Sequence, residues 1–331
     1  MTDAIGSLTS RERVPRVSVL MTVYNDRPDF VSKAIESILD QTFSNFEFLI
    51  LSDGTTRNET TRLLKQAATR DARIRLFWEP HRGLVKSLNV GLRYCRGELI
   101  CRQDADDWSE PQRIESQIGF LDKYSSIAVV GTAFELCQEM GHRLWIQRPP
   151  CDPDQILKSF YSGNPFCHGS TCFRAFAARD VGGYNERLSC TEDYDFFWRL
   201  CERFGGANLP NALYHHRRSP GSIVGQLNDQ LVVQRISVVL LAQQRARGEA
   251  EDLEAVKQTA QQLVGKQPNR FLLGLADQQL LAGHYFASLR SYMLAIVRAP
   301  HVPLAYFKAL RWFLFVIAPT WRARLFGQRA A

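Results

Sequence analysis

Over the first hundred positions the apolar residues change period repeatedly. Val17-Ser18-Val19-Leu20-Met21 is a run of strand formers, and from Asp29 to Leu39 the apolar residues recur with helical spacing. Phe46-Glu47-Phe48-Leu49-Ile50-Leu51 predicts a second strand, broken at the turn formers Ser52-Asp53-Gly54-Thr55. The pattern then predicts a helix over Asn58 to Ala68, a strand over Arg73 to Trp78, a helix over Val85 to Tyr94 and a strand from Gly97 to Gln103. This alternation implies an α/β fold, a mostly parallel sheet with helices on both faces. Ligands of such sheets bind beyond the carboxyl ends of the strands.

Three of those ends carry polar side chains: Thr22, Tyr24 and Asn25 after the first strand, Asp53 after the second, Asp104 and Asp106 after the fourth. In Asp104-Ala105-Asp106-Asp107 the carboxylates of Asp104 and Asp106 are spaced to hold a hard divalent cation, Mg²⁺ or Mn²⁺, that also grips phosphate oxygens. An acidic surface turn explains the same residues, with Asp107 capping a helix entered through Trp108-Ser109-Glu110-Pro111. From Ile127 the pattern loosens until His168-Gly169-Ser170-Thr171, Gly182-Gly183-Tyr184-Asn185-Glu186 and Thr191-Glu192-Asp193-Tyr194-Asp195. The last opens a helix whose acidic first turn either complements the helix dipole or projects Asp193 into the cleft as a general base. In Tyr214-His215-His216-Arg217-Arg218-Ser219, His216 could be a third metal ligand and Arg218 a clamp on a diphosphate; a basic surface loop is the alternative.

The formal net charge of +7 resides in the last fifty residues. Asp277 is the last acid, and Arg290, Arg298, Lys308, Arg311, Arg322, Arg324 and Arg329 supply the whole excess. Mixed with Trp312, Phe313, Phe315, Trp321 and Phe326, they suit an anionic membrane surface, not a nucleic acid; a packed helix with Arg side chains in water is the alternative. Residues 302–331 are the candidate membrane contact, and the apolar run Trp312 to Ala318 is far short of the roughly 20 residues of a spanning helix. The eight cysteines form no CxxC pair, and with no secretory signal they read as reduced thiols of a cytoplasmic protein, peripheral on the inner membrane face if it meets a membrane. Residues 1–14 are polar and read as loose, the chain from Val232 reads as helical, and Phe271 to Pro300 resembles one tetratricopeptide-like hairpin with His284 in its core.

Val17 to Asn25, Leu51-Ser52-Asp53-Gly54-Thr55, His81-Arg82-Gly83-Leu84-Val85-Lys86-Ser87-Leu88-Asn89, Asp104 to Asp107 and Glu192-Asp193 together resemble the ordered motifs of family two glycosyltransferases. The resemblance covers residues 15–225, read as the catalytic domain, and leaves 226–331 as a helical C-terminal region. It implies an A-type glycosyltransferase fold, a divalent metal, a nucleotide-sugar donor expected to be a UDP-sugar, and inversion at the anomeric carbon. The acceptor it implies is a saccharide or lipid-linked saccharide in cell-surface polysaccharide synthesis. Carried onto this chain, it implies a nucleotide-sugar pocket lined by Thr22, Tyr24, Asn25, Asp53, Lys86, Asp104 and Arg218. Asp106, Asp104 and His216 would hold the metal, Asp193 would deprotonate the acceptor hydroxyl, and Glu192 would orient the acceptor. A nucleotidyltransferase would be expected to carry a Gly-rich basic loop after its first strand, and Thr22 to Pro28 contains no Gly. A catalytically inactive scaffold has no physical need for the acids at 53, 104, 106 and 193.

Overall fold

In the computed structural model the described residues are 14–161, 163–218 and 229–266, with single positions or short stretches between 289 and 312. The chain divides into two compact units, Met1–Arg218 and Ser219–Ala331. The first carries β1 (Val17–Val23), α1 (Pro28–Leu39), β2 (Phe46–Asp53), α2 (Asn58–Arg70), β3 (Ile74–Glu79), α3 (Leu84–Tyr94) and β4 (Leu99–Asp104). It continues with β5 (Trp108–Ser109), α4 (Arg113–Lys123), β6 (Val129–Cys137), β7 (Arg143–Gln147), α5 (Pro153–Ser159), a 3₁₀ turn at His168–Ser170, β8 (Cys172–Arg174), α6 (Ala175–Asp180), α7 (Glu192–Phe204) and β9 (Gly206–Arg217).

The sheet runs β3-β2-β1-β4-β8-β6-β9-β5, with β7 paired antiparallel to the C-terminal part of β6. The parallel half expected from the sequence is β3-β2-β1-β4. The other half is mixed: β8 runs antiparallel to β4 and β6, while β9 is parallel to β6. Burial on both faces explains the unbroken apolar run of β2, where every residue from Phe46 to Asp53 is buried. Along β1, Val17, Val19, Met21 and Val23 share a core with Val31, Ile35 and Ile38 of α1, while Leu20 faces Gly91 of α3 on the opposite side. Pro28 opens α1, where its missing N–H costs no helix hydrogen bond.

One expectation is corrected. The chain after Asp107 is not a helix entrance: Trp108–Ser109 forms the short strand β5 against β9, and α4 begins at Arg113 with Gln112 at its N-cap. Asp107 instead accepts hydrogen bonds from β9, whose pairing with β5 outweighs the local helix signal.

In the second unit α8 (Asp229–Ala246) and α9 (Leu253–Lys266) are joined through Gly248, whose φ of +70° is left-handed. Among the described residues no helix is long and apolar enough to cross a membrane. The hairpin expected over Phe271 to Pro300 and the tail over 302–331 lie outside the described residues apart from isolated positions.

Candidate active site

Parallel register brings the polar strand ends to one edge. Thr22 pairs with Asp104, and Val23 with Ser52, so Asp53 lies one residue beyond. Beyond β1, Asn25 adopts a left-handed φ of +54°, and its Oδ1 accepts from the backbone N–H of Thr56 (2.8 Å) and Arg57 (3.2 Å). Tyr24 is half exposed and its ring stacks on His81 at 4.0 Å. Asp53, buried, accepts from Arg82 N (2.7 Å) and Ser87 Oγ (2.8 Å) at Oδ1, and from Gly83 N (3.0 Å) at Oδ2, which also meets His81 Nδ1 at 3.0 Å. Those contacts occupy both of its oxygens, so Asp53 anchors the loop that enters α3 and sets the ring on which Tyr24 stacks. Lys86 is exposed in the first turn of α3.

The acids after β4 have divided surroundings. The Arg102 guanidinium, with no exposed surface, donates to Asp104 Oδ1 at 2.7 Å. Burial alone would raise the Asp104 carboxyl, but the charges of Arg102, His216 and Arg113 outweigh it and hold the group below its usual range. Asp106 goes the other way: burial, then the charges of Asp107 and Asp104, push it well above the carboxylate range. Asp26, absent from the sequence reading, is raised by burial and in part by Asp104, and it adds to the charge felt by Asp106. Such crowding of carboxylates fits a divalent cation, whose charge would remove the repulsion. His216 meets Asp107 Oδ2 through Nδ1 at 3.0 Å, an arrangement that leaves Nε2 for a ligand. Burial would lower His216, but Asp107 more than reverses this and lifts it to about 9. Arg217 pins the same turn, its N–H to Asp107 Oδ1 and its Nε to the Asp106 carbonyl, both at 2.6 Å. Arg218 stands apart from these contacts, with its guanidinium 5.7 Å from the Trp145 ring centroid.

Glu192 and Asp193 open α7, which is anchored from behind by aromatic packing of Tyr194 and Trp198 on Phe160 and of Phe197 on Phe166. Asp193 is partly exposed, and its carboxylate accepts from Asn164 Nδ2 at 2.9 Å and from the Tyr194 N–H at 2.7 Å. Glu192 is 5% exposed, with no hydrogen-bond partner at Oε2. Burial, then the charge of Asp193, with a smaller contribution from Asp104, pushes it up to about 7. The α7 acids and Asp104 therefore share one electrostatic neighbourhood.

Several residues that build this site were not legible as site residues. Arg102 Nε donates to His168 Nε2 at 3.2 Å, so the Tyr184 hydroxyl, 2.9 Å from the same nitrogen, is its second donor. Burial first, then Arg102, pushes His168 down to about 3, and it stays neutral. Asn89 holds Tyr184 through both backbone groups at 2.9 Å. The chain Asn89, Tyr184, His168, Arg102 thus ends on Asp104. Gly169 closes the cradle: a Cβ there would lie 1.9 Å from the Tyr214 hydroxyl and 2.6 Å from Asp104 Oδ2. Gly169→Ala is expected to cost about 1–3 kcal/mol in urea denaturation. A variant of unchanged stability would contradict this packing.

A family model described as Glycosyl transferase family 2 matches residues 18–182. EpsE of Bacillus subtilis (strain 168), a glycosyltransferase by name, is 40% identical over 208 residues, which cover 61% of this chain and 73% of EpsE. The amylovoran biosynthesis glycosyltransferase AmsE of Erwinia amylovora is 31% identical over 202 residues, 59% of this chain and 74% of AmsE. Among solved structures, mannosyltransferase PcManGT from Pyrobaculum calidifontis, in complex with GDP-Man and Mn²⁺, matches with a TM-score of 0.54 at 15% identity, over 94% of this chain and 84% of that one. TarS 1-349 of S. aureus, in complex with UDP-GlcNAc, matches with a TM-score of 0.58 at 15% identity, over 90% and 89%. Likeness at such identities establishes a shared fold.

Proposed function

This chain belongs to glycosyl transferase family 2 and has the A-type glycosyltransferase fold, and from that premise we propose that it is an inverting, metal-dependent enzyme moving a sugar from a nucleotide-diphosphate sugar to a saccharide or lipid-linked hydroxyl. The observation that carries this reading is the meeting of two unlike acidic groups: the crowded Asp104–Asp106 cluster and the Glu192–Asp193 pair, whose charges reach each other. One suits a donor diphosphate with its cation, the other an acceptor hydroxyl.

Asp106, Asp104 Oδ2 and His216 Nε2 would hold Mn²⁺ or Mg²⁺. A bound divalent ion there would offset negative charge on the leaving nucleoside diphosphate. Arg102 keeps Asp104 ionised and fixed in direction. Thr22, Tyr24 and Asn25 line the nucleotide side, with Asp53 setting the His81 ring and the loop that leads to Lys86. Asp193 takes the proton of the acceptor hydroxyl as the oxygen attacks the anomeric carbon opposite the departing diphosphate, and Glu192 orients that hydroxyl. Attack from the opposite face inverts the centre. The relation to AmsE supports surface polysaccharide synthesis as the setting, and the basic aromatic residues of 302–331 would hold the enzyme at an anionic membrane surface near a lipid-linked acceptor.

A thermal-shift screen of nucleotide sugars with Mn²⁺, UDP-sugars first, tests the donor class. One donor is expected to stabilise the protein by about 2.7 kcal/mol at a hundred times its Kd. Asp106→Ala should lose the Mn²⁺-dependent part of that gain. If no nucleotide sugar stabilises the unaltered protein, the proposal fails.

A further inference from the structure

We propose that Glu135, Cys137 and His215 form a second metal site, of zinc-type donor chemistry, separate from the Asp104–Asp106 cluster. Glu135 and Cys137 are two apart on β6 and share a face of the sheet, and β9 sets His215 opposite Glu135. His215 and His216 are consecutive on β9, so the two histidines point to opposite faces, one to each site. One ligand atom from each of the three residues lies within 4.8 Å of the other two. Carboxylate oxygen, imidazole nitrogen and thiolate sulfur together are a donor set for Zn²⁺, unlike the oxygen-rich acid cluster, which suits Mg²⁺ or Mn²⁺.

The histidine is already oriented. Trp108 stacks on its ring at 4.6 Å with 8° between planes, and Glu110 Oε1 lies 2.6 Å from Nε2. That carboxylate takes the Nε2–H, so the Nδ1 lone pair faces Glu135 Oε2 at 3.3 Å. Nδ1 is buried and makes no hydrogen bond, and a cation between the two acceptors relieves their repulsion. Arg143 occupies the other oxygen of Glu135 at 3.3 Å, leaving Oε2 for the metal. Cys137 is 1% exposed, and its only contact of hydrogen-bond type among the described residues is a weak one, 3.9 Å to the Glu135 carbonyl. On binding, its thiol proton passes to solvent, and thiolate, carboxylate and neutral imidazole then balance a divalent charge. The neighbouring cations Lys33, whose Nζ lies over Trp108 at 3.3 Å, and Arg217 face this region without being ligands. Metal at this point would tie β6 to β9, the strand that carries His216 and anchors Asp107.

The test is Co²⁺ titration of the full-length protein, read by the thiolate-to-metal charge-transfer band, with Zn²⁺ competition. The expected result is one band per protein, displaced by Zn²⁺, retained in Asp106→Ala and lost in Cys137→Ser. His215→Gln removes a ligand and should weaken Co²⁺ binding by more than about 10-fold, at least the loss that follows removal of an outer-shell partner, with unchanged circular dichroism. Absence of the band from the unaltered protein would mean that a proton alone bridges His215 and Glu135, and would overturn the proposal. A band that survives Cys137→Ser, by arising from another of the eight cysteines, would overturn it equally. Should Cys137→Ser fail to fold, His215→Gln decides: unchanged Co²⁺ affinity excludes the site.

Discussion

Asp193→Asn should lower kcat by about 10²-fold or more while leaving the Kd of the nucleotide-sugar donor unchanged. The substitution conserves shape and removes the proton acceptor. The Asn carbonyl can still accept from the Tyr194 N–H, so the entry to α7 is retained. The new amide opposes the amide of Asn164, which cannot turn freely because its Oδ1 accepts from Phe166 N at 3.1 Å. Loss of the Asn164 hydrogen bond costs about 1 kcal/mol, too little to account for a hundredfold loss of rate through unfolding. A second consequence separates a catalytic from a structural role. Since Asp193 raises the Glu192 carboxyl, its neutralisation should move that group back toward 4.5. Single-turnover rates with saturating donor, measured beside calorimetric donor binding, decide the matter. Near-normal turnover would remove Asp193 from the role of base, and equal loss of rate and donor affinity would make it part of the donor pocket.

The sheet edge was legible because its signals are local. Runs of strand formers lead to Thr22, Asp53 and Asp104, and a parallel sheet carries such ends to one side whatever its other contacts. What surrounds them is not local. Arg102 reads as one more strand residue, yet it is fully buried and spans Leu20, His168 and Asp104. Tyr214 donates no pattern of its own, but it receives the Asp104 N–H from 110 positions away. Asp107 shows the converse failure. Its neighbours carry a sound helix-entry signal, and the ladder between β5 and β9, invisible to periodicity, overrides it. Asp53 is readable as a site residue from its place at a strand end, but its hydrogen bonds to the loop before α3 are seen only in the folded chain. Chemistry-bearing residues at strand ends can thus be read from one sequence, and their partners across 60 to 110 positions only from the folded chain.

Glu192→Gln should make the protein more stable above neutral pH, by about 3 kcal/mol at about pH 8, and no more stable below about pH 4. The folded carboxyl titrates at about 7 against 4.5 for the ordinary group, because burial and Asp193 oppose its charge. Below the unfolded value both states are protonated and the group costs nothing. Between the two values the unfolded chain ionises while the folded one does not, so stability falls as pH rises. Above about 7 both are ionised, and the full cost of an ionised Glu192 with an unpartnered Oε2 is present. Gln has the same shape and no charge, so it removes this slope. Urea denaturation across that range, both proteins side by side, gives the difference, and one independent of pH would show that burial rather than ionisation sets the effect. In the proposed mechanism Glu192 orients the acceptor hydroxyl, and near neutrality its protonated fraction can donate a hydrogen bond to the acceptor oxygen. The same variant should therefore lose the inflection near 7 in the pH profile of kcat/KM, so that the more stable protein is the slower enzyme.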